Sequence, residues 1–529
     1  MLAHPLAARS APGRCPTLAP LTWQGPAQAS LTAPGPAFAP GFDASPIQLT
    51  TLAASGDPAR FRAFIGLAGG PALAIASASA DALDLTIPGA TADPCRLGTW
   101  PTGDRFVPQV VVSQATTGLQ IRVPWDYEMP ATVDYRPGGL EVVLDKIFAR
   151  ESSRSLAPGI ALHAFRMGTL AGPEAAWAIT VRPGSGRVVP VAASELPATT
   201  GFGRGSSGTG GLLGLLSDFV GLSRSAESGR EPMLAPVSEL ASASGAVAAV
   251  NGGYFSWSDR LPVGLLEVGG KPITGPLFGR AAIALWPGAP RISRVEVQPW
   301  VELPDQESAE IDFLNFPQQE DALMLYTPTW GDRTRSRPED GSFEVAVAAG
   351  GRVVGEGKAD LGIPPGGFVL AGTGAHGRWL EARVHRGDSI VLHMGLGAFW
   401  GDRPDVVGGG PILVRDGRVD VEDEHFPDDI LRGRNPRTAI GVRPDGTIVI
   451  VGVEGGQAHH SVGMTLLDLA DFMVARGVAD AMNLDGGGST TIWAQGEVLN
   501  RPSDGAERSV ADALVVIPHG AANGTGRLE

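Results

Sequence analysis

The run Asn483-Leu484-Asp485-Gly486-Gly487-Gly488-Ser489-Thr490-Thr491 sets a carboxylate, a carboxamide and three hydroxyls around a triple glycine. Consecutive glycines weaken any helix or strand that contains them. They fit a point where the backbone turns sharply, or where a ligand approaches its peptide groups. A plain surface turn is the alternative use of such a run. In the functional use, Asp485 is the ionisable group. The N–H groups of Gly486 and Gly487, with the Ser489 and Thr490 hydroxyls, offer hydrogen bonds to a bound ligand. Asn251-Gly252-Gly253-Tyr254-Phe255 repeats the plan far earlier in the chain and adds Asn251 as a polar candidate. A third element brings opposite charges, Arg437 and Glu454, to the open end of one hairpin.

Each of these groups follows an element that can position it. Leu466, Leu469, Ala470, Met473 and Val474 recur at helical spacing, with Thr465 as N-cap, Asp468 three residues later and Gly477 as the stop. Val478 to Leu484 then reads as a short buried strand that delivers Asp485 at its end. Val237 to Ser244 reads as a helix closed by Gly245, and Ala246 to Val250 as the strand that delivers Asn251. Strands at 435–442 and 447–453 flank Arg443-Pro444-Asp445-Gly446, a hairpin signal. Pro444 lacks the N–H that a two-residue loop wants, so a three-residue loop with Gly446 in the left-handed position is expected. That loop shifts Glu454 one position away from facing Arg437.

Taken in order, several segments resemble the phosphodiester glycosidase family. They are Asn251 to Phe255, Pro262-Val263-Gly264-Leu265, Leu325-Tyr326-Thr327-Pro328 and Gly408-Gly409-Gly410-Pro411. Asn435-Pro436-Arg437-Thr438-Ala439, Ser461 to Thr465, the Asp485 loop, Asn500 to Asp504 and Glu507-Arg508 follow. Glu454-Gly455-Gly456 stands where members usually carry Asp-Gly-Arg, so the acid is kept and a basic neighbour is missing. The resemblance implies a hydrolase that releases a sugar from a glycosyl phosphodiester or similarly activated glycoside. Breaking the anomeric C–O bond then needs little acid assistance, but it needs an oxocarbenium-like centre stabilised and a nucleophile or base. Glu454 and Asp485 are the expected catalytic pair. Asn251, Tyr326, Arg437, Gly486, Gly487, Ser489, Thr490 and Arg508 are the expected substrate-binding set, with Tyr326 in a sugar-stacking wall and the two arginines on the phosphate. A glycosidase of ordinary O-glycosidic bonds and a non-catalytic glycan-binding envelope protein are the alternatives.

The 529 residues are enough for two or more domains, and 43% hydrophobic with 18% charged residues is ordinary for a globular protein. Seventy-three glycines and 44 prolines with few aromatics favour strands and turns over helices. The expected class is α+β: a strand-rich mixed-sheet catalytic domain with a few short helices, preceded by a small β-rich module. The boundaries read as a Pro/Ala-rich leader at 1–40, the module at 41–150, the catalytic domain at 151–519 with an insertion at about 201–235, and a tail at 520–529. A net charge of −15 argues against nucleic acid and leaves an anionic substrate dependent on a local cationic pocket. No run approaches the roughly 18 apolar residues of a membrane span. The first forty residues contain no clean apolar signal core, although the resemblance implies an extracellular or cell-envelope setting. His459 and His460 lack zinc-site spacing, and phosphate-loop and dinucleotide fingerprints are missing, so the expected chemistry uses no metal and no cofactor. Cys15 and Cys95, the two cysteines, fall outside every motif.

Overall fold

A computed structural model describes residues 46–69, 74–195, 234–295, 298–338, 341–395 and 405–520 of the protein. The expected leader and nearly all of the expected insertion lie outside the described residues. The chain forms two compact units. One runs to Arg150 and adds Arg166–Pro173 and Ala458–His460, whereas the other comprises Glu151–Phe165, Glu174–Gln457 and the chain from Ser461 onward.

Alternating apolar residues build the first unit. Strands Gln109–Ala115, Gly118–Pro124 and Gly139–Asp145 carry that pattern, with alternate side chains turned inward along most of their length. A four-stranded and a five-stranded sheet share one core around Phe61, Ile65, Leu85, Ile121, Leu140 and Val142. Lys146 and Asp104, both almost fully buried, form an ion pair at 2.9 Å.

In the second unit two sheets carry the site. One has the Arg437–Val442 strand between Ile448–Val453 and Asp480–Asn483, with Pro173–Val181 beyond the former. The other has the Ala248–Asn251 strand between Asp512–Pro518 and Ile492–Ala494. All these neighbours are antiparallel; a mixed sheet lies elsewhere in this unit, where Phe313–Leu314 pairs in parallel with Leu323–Tyr326 and the remaining strands pair antiparallel. The two sheets bury a common core, Ile440, Ile450 and Met482 from the first against Val250, Ile492 and Leu514 from the second. The helix Val237–Ala243 covers the other face of the second sheet through Val237, Leu240 and Ala241.

The local signals explain how the ends are set. Arg443 N donates to Thr447 O and Gly446 has φ +81°, so the hairpin has the three-residue loop, and Arg437 pairs with Val453 rather than Glu454. The helix Leu466–Val474 starts on a capping box in which the Thr465 side chain accepts from Asp468 N while the Asp468 carboxylate accepts from Thr465 N. Gly477, at φ +72°, ends the turn that follows. That helix buries Leu466, Leu469, Ala470, Phe472 and Met473, which fixes where the Asp480–Asn483 strand begins. Removing the cap hydroxyl with Thr465→Ala should destabilise the protein by about 1 kcal/mol, measured as a lower denaturant midpoint at unchanged slope.

Candidate active site

Antiparallel pairing decides which residues meet. Ile448–Val453 and Asp480–Asn483 both run opposite to the strand between them, so they run parallel to each other and end at one edge. Glu454 and Asp485 leave that edge two strand spacings apart, about 10 Å. The second sheet brings Asn251 to the same place. Its Nδ2 donates to Asp485 O at 2.7 Å, and its Oδ1 accepts from Thr438 Oγ1 at 2.7 Å and Thr491 N at 3.3 Å. Asn251 is wholly buried, so every polar atom of its carboxamide serves the protein. It positions the Asp485 loop and shows no free face to a sugar, which corrects its expected contact role.

The glycines of the loop are explained by close approach. Gly487 has φ +58° and turns the chain. A Cβ at 488 would run into the Arg508 guanidinium and the Asp504 carboxylate, and one at 486 would press on Pro436 O. Gly486 and Gly487 remain partly exposed at the rim. Asp485 lies beneath them, 3% exposed, with Oδ1 accepting from Gly486 N at 2.9 Å and no donor at Oδ2. Burial pushes its carboxyl up to about 6, against the Ser489 hydroxyl, the Arg508 charge and the Gly486 N–H, which favour ionisation.

Arg508 is the cation of the site. Its Nη1 donates to Ser489 Oγ at 3.2 Å, and Nε and Nη2 grip Asp504 Oδ2 at 2.8 and 2.6 Å. The guanidinium also sits 5.0 Å from the ring centre of Trp257, whose side chain is exposed. Thr490 is buried, its carbonyl accepting from Asn500 Nδ2 and its hydroxyl 3.4 Å from that of Thr438. Glu454 is 1% exposed; Oε1 accepts from Trp177 Nε1 at 3.2 Å and Oε2 from Arg501 N at 3.1 Å.

Two expected residues take other positions. Arg437 is 2% exposed and spends its guanidinium on three carbonyls, Met464 O, Ile430 O and Gly433 O, at 2.7 to 2.9 Å. Burial lowers its pKa to about 10. A side chain so engaged clamps two loops and has no fork left for a phosphate. Tyr326 is fully buried with Met324, Val369 and Ala371 in the core of another sheet, so it offers no stacking surface. Glu424, one of a run of acidic residues between 422 and 429, is also inside, accepting from Ala281 N and Ile412 N.

Two residues emerge only in three dimensions. Trp257 is an exposed aromatic beside Arg508, and nothing in its flanking sequence separates it from a chance surface tryptophan. Asp512 opens the apolar strand Asp512–Pro518 and is 1% exposed. A charge heading an otherwise apolar strand was its available signal.

Residues 342–517 match the family model described as phosphodiester glycosidase, a stretch that holds Arg437, Glu454, Asp485, Arg508 and Asp512. The chain is 42% identical over 86 residues to the SPbeta prophage-derived uncharacterized protein YomE of Bacillus subtilis (strain 168), covering 16% of this chain and 13% of that one. Over 68 residues it is 38% identical to the N-acetylglucosamine-1-phosphodiester alpha-N-acetylglucosaminidases of Bos taurus and Homo sapiens, 13% of this chain and 12% and 13% of theirs. The chain therefore spans about an eighth of the length of these curated relatives. Two solved structures are similar in fold at 19% identity. A hypothetical protein from Synechocystis has a TM-score of 0.57 over 90% of this chain and 81% of its own. A putative exported protein from Burkholderia pseudomallei K96243 has a TM-score of 0.50 over 91% and 100%. The resemblance to the phosphodiester glycosidase family thus falls on the part of the chain that carries the Asp485 loop.

Because Arg437 satisfies three buried carbonyls, Arg437→Lys should cost about 3 kcal/mol of stability. Thermal melting should record that loss, and residual turnover should fall equally on charged and neutral substrates.

Proposed function

We propose that the chain is a hydrolase that releases a sugar from a glycosyl phosphodiester or a similarly activated glycoside. The observation that carries this reading is the buried Asp485 carboxylate, with one oxygen lacking a donor, beside the cation Arg508. The family match over residues 342–517 supports the substrate class.

In this mechanism Asp485 takes a proton from the attacking water. A base works best when its protonation midpoint lies near the working pH, and a carboxyl at about 6 meets that demand. The leaving phosphate monoester needs charge neutralisation more than a proton, and Arg508 supplies it once the anion competes with Asp504. Trp257 gives the sugar a ring face beside that cation. Glu454, oriented by Trp177 and the Arg501 N–H, is the second carboxylate and opposes the positive charge that develops on the anomeric carbon. The substrate would belong to an extracellular or cell-envelope glycan; among the described residues no helix is long and apolar enough to cross a membrane.

A panel of glycosyl-1-phosphodiesters and neutral aryl glycosides tests the reading. The parent should cleave the former, and Asp485→Asn should lose at least about a hundredfold in kcat while melting as the parent does; retention of a tenth of the activity would remove its catalytic role. Arg508→Lys should hurt phosphodiesters more than aryl glycosides, whereas turnover confined to aryl glycosides would point to ordinary O-glycosidic bonds. The acid limb of kcat/KM should lie near pH 6, because the base must be ionised.

A further inference from the structure

Two carboxyl groups are buried around one Gly-Gly turn. Asp485 N donates to Gly252 O at 3.2 Å, and Gly252 N donates to Asp512 O at 3.0 Å. Gly253 N then donates to Asp512 Oδ2 at 3.2 Å. A Cβ at 252 would collide with the Asp512 carboxylate, so that acid lies directly over the turn. Each acid keeps one buried oxygen without a hydrogen-bond partner, Oδ2 of Asp485 and Oδ1 of Asp512.

The surroundings do not neutralise two charges. Arg508 acts on Asp485 but is already gripped by Asp504. Tyr254 feels Asp485, yet burial holds its hydroxyl protonated, and that hydroxyl donates to Gly410 O. Arg437 faces Tyr254, and its Nε and Nη2 groups donate to three carbonyls. Among the described residues the charged group that acts on Asp512 is Asp485 itself. Ionising both carboxyls in this buried place would add repulsion to the cost of desolvation, and a proton kept on one of them removes it.

We propose that Asp512 and Asp485 hold a single proton between them near neutral pH, with Asp512 as the residue that keeps that proton and leaves the negative charge on Asp485. Burial first, then the Asp485 charge, pushes Asp512 up to about 7, so Asp512 keeps the proton while Asp485 ionises at about 6. The linkage follows. Both carboxyls bind protons more tightly when folded than their ordinary value of 3.8, so the stability they contribute is fully present below about pH 4 and is lost as pH rises through 6 and 7. The inference about catalysis rests on the hydrolase reading above; the pairing does not.

Carbon-13 NMR of the full-length protein with labelled aspartate carboxyls, titrated from about pH 3 to 9, tests it without any substrate. The parent should show two carboxyls with coupled, biphasic curves near neutrality. Asp512→Asn should remove the upper titration and leave Asp485 near its parent midpoint, because a neutral side chain already stands beside it when it ionises, whereas Asp485→Asn should move Asp512 down by about one unit. On an active substrate, Asp512→Asn should keep the acid limb of kcat/KM near pH 6, whereas a limb displaced by about a unit or more would show that Asp512 is charged when Asp485 ionises and would overturn this placing of the proton. No aspartate titrating above about pH 5 in the parent, or an Asp512 curve unmoved by Asp485→Asn, would overturn the pairing. Abolition of both titrations by millimolar magnesium or calcium would also overturn it, making the pair a cation site. Coupled curves with no turnover on the substrate panel would sink the hydrolase reading alone, and turnover without coupling would sink the pairing alone.

Discussion

One side chain amide, that of Asn251, fixes the geometry on which the site depends. A buried carboxamide must satisfy its donors and acceptors inside the protein, because each one left open costs about 1–3 kcal/mol. Asn251 does so by accepting from Thr438 in one sheet and from Thr491 in its own, while donating to the carbonyl of Asp485. These bonds lock the ends of two sheets, whose faces already share an apolar core, into one register. The Asp485 loop hangs from that joint. Its glycines then matter for what they make room for: the Arg508 guanidinium over Gly488 and the Asp512 carboxylate over Gly252.

Electrostatics builds on this frame. The protein carries a large negative excess, and a deep carboxylate in such a chain is costly unless something favours its charge. One cation, held between Asp504 and Ser489, does part of that work, and burial keeps the carboxyl near the range where it can exchange protons at neutral pH. The other arginine of the region is consumed by backbone. Arg437 stabilises the loop around Gly433 and Met464 that borders the strand ends, so its contribution is to shape. The same residue type thus serves two ends, decided by whether carbonyls or solvent surround the guanidinium.

Much of this was legible in the chain. The capping box at Thr465, the stop at Gly477, the three-residue loop at Gly446 and the strand that delivers Asp485 all follow from local rules, and local rules survive folding. The meeting of Asn251 with the Asp485 loop was legible from two similar strand-end motifs. Tyr326 and Arg437 were misread for one reason. Motif position says that a residue matters, but whether its side chain faces solvent or core depends on sheet packing between distant segments. Asp512 was hidden by the opposite effect: a lone acid at the head of an apolar strand reads as a strand end until a second carboxylate is found beside it. Trp257 is exposed, and exposure leaves no periodic signature.

The account stands or falls on where a saccharide sits. A crystal structure with a non-hydrolysable glycosyl phosphonate bound would settle that most directly. The prediction is that the anomeric carbon lies across one water from the Asp485 carboxylate, with that water about 3–3.5 Å from the carbon, the phosphonate on Arg508 and the sugar ring against Trp257. A ligand bound away from the Asp485 loop, leaving Arg508 still closed on Asp504, would contradict it.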